Sequence, residues 1–254
     1  MNDKYFIDRM KVKKSTIAIF ILTTIFFSCT DEETPNFQNS IPEPVVTPPV
    51  FVPNTVENFT YLALGDSYTI GQGVDEIDRW PIQLKGELKK DYINLTAVDI
   101  IAQTGWTTGS LLNAINNEKP EKHDLVSLLI GVNNQYQGRP FTQFENEFMQ
   151  LLNIAINLCS QEDRLFVVSI PDYSITIYGS GNSSFIASEI NKYNDYMEQQ
   201  CLLKGIPFID VTAISRDLGV TNGALAPDAL HPSGYQYSKW VEVISPEVLK
   251  LLKN

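Results

Sequence analysis

Five short apolar runs, Thr60–Leu64, Leu95–Ile101, Leu125–Ile130, Leu165–Ile170 and Pro207–Val211, recur from residue 58 onward. Most are continuous rather than alternating, as expected of strands covered by helices on both faces. Stretches with helical character separate them: Trp80–Lys90, Thr108–Asn117, Phe141–Cys159 and Ser188–Lys204. Two more, Gly234–Ile244 and Pro246–Leu252, close the chain. Strands and helices that take turns, joined by right-handed crossovers, build a parallel sheet between two helical layers. A three-layer α/β/α domain is therefore expected over residues 58–254.

Composition agrees and narrows the partners. The 254 residues are 43% hydrophobic and 19% charged, which excludes a wholly disordered, collagen-like or coiled-coil chain. The net charge of -11, with no basic patch in view, repels a phosphate backbone, so no nucleic-acid partner is expected. Cysteines at 29, 159 and 201 are too few and too scattered for a disulfide-rich scaffold or a Cys-x-x-Cys zinc site. With only two histidines, no metal is expected either.

The N-terminus reads as an export signal. Lys4, Arg9, Lys11, Lys13 and Lys14 precede the apolar run Thr16 to Phe27. That run rises about 18 Å as a helix, short of the roughly 30 Å of a bilayer core. Residues 1–28 are thus expected to be a signal peptide, starting at Met1 or Met10. Phe26-Phe27-Ser28-Cys29 resembles a bacterial lipobox, although two Phe are bulkier than is usual there. The resemblance implies lipidation at Cys29 and a lipid anchor in a bacterial membrane. Asp31, Glu32 and Glu33 look like surface-export signals of some bacterial lipoproteins, implying an outer-membrane, surface-facing protein. Residues 29–57 carry Pro35, Pro42, Pro44, Pro48, Pro49 and Pro53 and read as an extended tether of at most about 85 Å.

Chemistry collects where the strands end. The first runs into Gly65-Asp66-Ser67, the second into Thr104-Gly105-Trp106, the third into Gly131-Val132-Asn133-Asn134. In a parallel sheet these ends share one edge, the edge where open α/β sheets build their sites. The segment from Val211 to His231 is long enough to bring Asp228-Ala229-Leu230-His231-Pro232 back over it. A serine hydroxyl becomes nucleophilic when an imidazole takes its proton and a carboxylate holds that imidazole. Asp228 and His231, three apart, meet within one turn. The Ser67 and Gly105 amides and the Asn133 side chain offer donors to a developing oxyanion. Asp66, next to Ser67, reads as a brace of the turn rather than as the triad acid. His123, at the start of the third strand and roughly 25 Å from the catalytic edge, reads as structural.

Gly65-Asp66-Ser67-Tyr68, Gly105, Gly131-x-Asn133 and Asp228-x-x-His231 resemble, in order and position, the four blocks of the SGNH, or GDSL, hydrolase family. The likeness covers nearly all of residues 58–254. It implies a flavodoxin-like five-stranded sheet of order 2-1-3-4-5, no cofactor, and a Ser67–His231–Asp228 triad. Ser67, Gly105 and Asn133 would form the oxyanion hole. Two residues depart from the family pattern: Tyr68 replaces the usual Leu, and Asn134 replaces a frequent Asp, with consequences for how Asn133 is held.

Tyr68, Trp106 and Tyr136 flank the blocks and are candidate walls of a substrate pocket, while Trp80 and Trp240 read as core. Asp172–Ser188, with Tyr173 and Tyr178, reads as a mobile loop over the catalytic edge. A carbohydrate O-acyl esterase acting at the cell surface fits this set. A lysophospholipase or thioesterase with the same triad stays open, as does a non-catalytic binding lipoprotein on the same scaffold. The implied strand order sets the helices carrying Cys159 and Cys201 side by side, so these residues either close a disulfide or are two buried thiols.

Overall fold

The computed structural model describes residues 55–253. The signal peptide, Cys29 and nearly all of the tether lie outside those residues. The strands are β1 Glu57–Gly65, β2 Ile93–Ala102, β3 Leu125–Leu129, β4 Leu165–Val168 and β5 Phe208–Ile209. All pair in parallel, in the order β2-β1-β3-β4-β5. The helices are α1 Ser67–Ile70, α2 Trp80–Leu88, α3 Thr108–Glu118, α4 Val132–Tyr136, α5 Phe141–Leu158, α6 Ser183–Lys204, α7 Thr212–Leu218 and α8 Gly234–Lys253.

The order decides which face each helix covers. The crossover from β1 to β2 runs one way across the sheet, and those from β2 to β3, β3 to β4 and β4 to β5 run the other. Right-handedness therefore puts α2 on one face and α3, α5 and α6 on the opposite one. The packing agrees: α2 lies against α8, α3 against α5, and α5 against α6. Trp80 of α2 fills the first face against Tyr61 and Phe166, with ring centroids 6.5 and 6.3 Å away. On the other face Phe144 of α5 meets Tyr193 of α6 at 4.4 Å and Phe148 at 5.6 Å. Phe144 is fully buried, and truncating such a ring to alanine costs about 3–5 kcal/mol.

Register brings the site together. Gly65 pairs with Ala102 on one side and with Leu129 on the other, so β2, β1 and β3 end level. At Gly65 a Cβ would stand 2.6 Å from the Leu129 carbonyl oxygen, so only glycine lets β1 turn into α1 this tightly. Gly131 has φ +128°, and a Cβ there would strike the Phe144 ring at 2.7 Å.

The structure corrects several sequence expectations. Helix α8 runs unbroken through Pro246, because Val241, Ile244, Val248 and Leu252 are buried against the core on both sides of it. That apolar face outweighs the one backbone bond that proline removes. Helix α6 begins at Ser183, so the expected loop after β4 shortens and includes a 3₁₀ turn at Tyr173–Ile175. Cys159 and Cys201 are both buried and free, not paired. Cys159 lies just past α5 in extended backbone, bridged to His123, and its thiol donates to the Ala155 carbonyl at 3.3 Å. Neighbouring helix ends did not bring the two thiols into a bond. Burial pushes both thiols up to about 12, which leaves them unreactive at neutral pH.

Candidate active site

One cavity of about 270 Å³ opens at the C-terminal edge of the sheet. Its lining includes Ser67, Gly105, Asn133 and His231, contributed by segments far apart in sequence. Tyr68 and Tyr136 line it as expected, and Val132, Tyr173, Tyr178 and Leu230 join them. Trp106 does not line it. Its ring packs partly buried against the core, and only its carbonyl serves the site, accepting from Asn133 Nδ2 at 3.0 Å. A larger groove of about 470 Å³ lies between α6 and β5 and contains none of these residues.

Ser67 opens α1, one residue beyond Asp66, which caps the helix. Asp66 Oδ1 accepts the Tyr68 amide at 3.0 Å and so braces the turn that presents Ser67. Its other oxygen, Oδ2, lacks a sound hydrogen bond. Burial pushes the Asp66 carboxyl up to about 7, against the opposing pull of the Tyr68, Gly131 and Asp66 amides. Its hydrogen bond goes to the turn rather than to an imidazole; the carboxylate that reaches His231 is Asp228.

Asp228 and His231 meet within the expected turn. Asp228 Oδ1 accepts the amides of Leu230 at 2.9 Å and His231 at 3.0 Å, while Oδ2 lies 2.7 Å from His231 Nδ1. Burial raises the Asp228 carboxyl, but the His231 amide, the His231 ring and the Leu230 amide outweigh it and hold it below the usual range. Ala229 takes a left-handed φ of 56° to close the turn. A carboxylate on Nδ1 sets the tautomer that leaves Nε2 free as a base.

The donors are disposed around the cavity. Among the described residues, no backbone carbonyl takes the Ser67 or Gly105 amide. The bond to Trp106 orients the Asn133 side chain and leaves its second N–H uncommitted. Asn134 points elsewhere: it is buried, accepts the Thr108 amide at 2.9 Å and donates to Thr108 Oγ1 at 2.7 Å. It thus ties α4 to the start of α3, a role its neighbour's motif did not announce. His123 sits at the opposite end of β3, its Nε2 2.8 Å from Asp99 Oδ2. No cluster of three or more His, Cys, Asp or Glu suited to a metal occurs among the described residues.

A family model described as the GDSL-like lipase/acylhydrolase family matches residues 63–238. The chain belongs to this family. It is a hydrolase acting on ester bonds. Its fold is shared with many solved structures. A lipolytic G-D-S-L family protein from Veillonella parvula aligns with a TM-score of 0.60 at 13% identity, over 78% of this chain and 100% of that one. A protein named TesA aligns with a TM-score of 0.57 at 19% identity, over 76% and 99%. A carbohydrate acetylesterase family member from Sinorhizobium meliloti aligns with a TM-score of 0.54 at 19% identity, over 77% and 99%. No curated protein matches the chain.

Proposed function

We propose that this family member is a serine esterase that removes short acyl groups, acetyl foremost, from carbohydrate at the cell surface. The observation that carries the reading is the single cavity joining Ser67 and His231 to two tyrosine rings exposed at its rim, Tyr136 and Tyr178. Flat aromatic faces suit sugar rings, and the amides of Gln72 and Gln137 stand close by, bonded to Thr104 and to the Gly105 carbonyl. At about 270 Å³ the cavity falls below the usual range of roughly 300–1,000 Å³ for drug-sized ligands, which favours a short acyl group over a long chain. The Sinorhizobium meliloti neighbour, a carbohydrate acetylesterase family member by name, lends the same direction.

In this reading Ser67 Oγ attacks the ester carbonyl and its proton passes to His231 Nε2. The Ser67 and Gly105 amides and Asn133 Nδ2 receive the oxyanion. His231 then protonates the departing alcohol, leaving an acyl-Ser67. Water, deprotonated by His231, attacks that acyl group and releases the acid, and the proton returns to Ser67. Lipidation at Cys29 and the proline-rich tether would hold the domain at the outer-membrane surface, where polysaccharide esters are within reach.

Turnover of p-nitrophenyl esters from acetyl to palmitoyl, together with acetate release from an acetylated polysaccharide, tests the reading. Acetyl esters should be preferred, and Ser67→Ala should lower turnover at least about a thousandfold while leaving the fold intact. A palmitoyl preference would establish the lysophospholipase or thioesterase alternative. Absence of turnover across the series would favour a binding lipoprotein.

A further inference from the structure

Arg216 lies on α7, outside the cavity lining, yet it is bonded to the segment that carries two of the cavity's tyrosines. That segment, Asp172–Gly179, follows β4 and delivers Tyr173 and Tyr178. It is wound tightly on itself. The Thr176 amide donates to the Tyr173 carbonyl at 3.0 Å and the Gly179 amide to the Thr176 carbonyl at 3.1 Å. A Cβ on Gly179 would stand 2.4 Å from Ser174 Cα. A turn this closed shifts as one piece, so its placement depends on what holds its ends.

One end is Asp172, whose side chain is 1% exposed. Its Oδ1 accepts the Ser174 amide at 2.8 Å, and its Oδ2 accepts from Arg216 Nε at 2.8 Å. Arg216 Nη2 continues to Asn191 Oδ1 on α6 at 2.7 Å, so one guanidinium ties the segment to two helices. The Asp172 amide donates to Ser215 Oγ at 2.9 Å, again on α7. Toward the cavity, the Tyr173 hydroxyl donates to Gln135 Oε1 at 2.7 Å, and its ring meets Tyr136 edge-on at 5.9 Å. Removing the arginine would strand a buried carboxylate, and the segment would shift to hydrate it.

We propose that Arg216 is a positioning residue for ester specificity: through Asp172 it sets where the Tyr173–Tyr178 segment walls the cavity, and thereby which ester is held well. Arg216 does not line the cavity. The inference rests on the esterase reading above and adds to it a determinant of selectivity.

The test uses the full chain and two substrates, p-nitrophenyl acetate and p-nitrophenyl butyrate. Arg216→Met keeps the aliphatic stem and removes the fork. It should leave kcat on acetate within about twofold and raise KM on butyrate about tenfold. Arg216→Lys, which returns a charge without the fork, should recover part of that loss. Tyr178→Ala should raise KM on butyrate by itself, and adding Arg216→Met to it should change little further, since both act through one wall.

An unchanged butyrate-to-acetate ratio in a folded Arg216→Met protein overturns the proposal. So does an equal fall in kcat on both esters, or full additivity with Tyr178→Ala. If Arg216→Met does not fold, Asn191→Ala and Arg216→Lys decide: a rise of about threefold in butyrate KM supports the latch, and wild-type ratios in both overturn it. Absence of wild-type turnover on both esters overturns the esterase reading itself, and this inference with it.

Discussion

The ring of Tyr68 meets the imidazole of His231 edge-on, with centroids 5.8 Å apart and planes inclined at 63°. On its other side Tyr68 faces Trp240 of α8 at 6.3 Å. The residue after the candidate nucleophile therefore backs the candidate base. A row of aromatic rings runs from the core, through Tyr68, to the cavity.

Tyr68→Ala should empty the space behind His231, destabilise the protein by about 3–5 kcal/mol, and lower ester turnover about a hundredfold. Tyr68→Phe keeps the ring and should stay within about threefold of wild type. Burial, reinforced by the charge of Asp66, holds the phenol well above its ordinary pKa, so no ionisation is lost with the hydroxyl. Urea midpoints and steady-state turnover check both, and wild-type turnover in Tyr68→Ala would remove the buttress from the account.

Asp228→Asn should reduce kcat about a thousandfold or more while KM on a short ester changes little. It should also alter acid stability. A carboxyl whose native pKa is depressed stabilises the fold at all pH above its unfolded value of about 4, and that contribution disappears as pH falls through the native value. The stability gap between wild type and Asp228→Asn should accordingly be level at neutral pH and close on acidification below about pH 4. Thermal melts across pH 2.5–7 would detect a gap that instead widens in acid.

Asp66 has the opposite sign. Its native carboxyl titrates at about 7, above the ordinary aspartate value of 3.8, so the native state keeps a proton that the unfolded chain has released. Stability contributed by this group is full below about pH 4, declines as pH rises toward 7, and is level beyond. The decline is bounded by about 4 kcal/mol. Asp66→Asn, which still accepts the Tyr68 amide, should flatten that slope. Chemical denaturation at pH 5 and pH 8 measures it, and equal slopes in the two proteins would contradict the assignment.

Much of this was readable in the residues. Strands β1 to β4 were legible as short, mostly apolar runs, and Asp228 met His231 because three residues span one turn. What escaped reading depends on contacts made across the fold. Helices α1, α4 and α7 are too short to leave a periodic signature. Helix α1 is held by the Asp66 cap, and α7 stands beside Asp172 through Ser215 and Arg216. Val132 and Leu230 look like ordinary apolar residues, and only topology turns them toward the cavity. Trp106 carried a plausible position but no information about where its ring would point. Pro246 is a true helix breaker locally, overridden by the buried face around it.

Anchoring tests the N-terminal reading separately. Expressed with its own signal in a bacterium, the wild-type protein should fractionate with membranes and take up labelled palmitate. Cys29→Ala should do neither. Equal partitioning of the two would refute the lipid anchor without touching the catalytic assignments.

The chain has only two imidazoles, and the sheet sets them at opposite ends, each against an aspartate: His123 with Asp99, His231 with Asp228. One lines the cavity and the other does not. That arrangement gives the protein an internal reference for spectroscopy. In an ¹⁵N-labelled sample, a ligand or acylating reagent that enters the cavity should move the ring resonances of His231 and leave those of His123 in place. Each spectrum would then carry its own control for unfolding, salt and drift in pH.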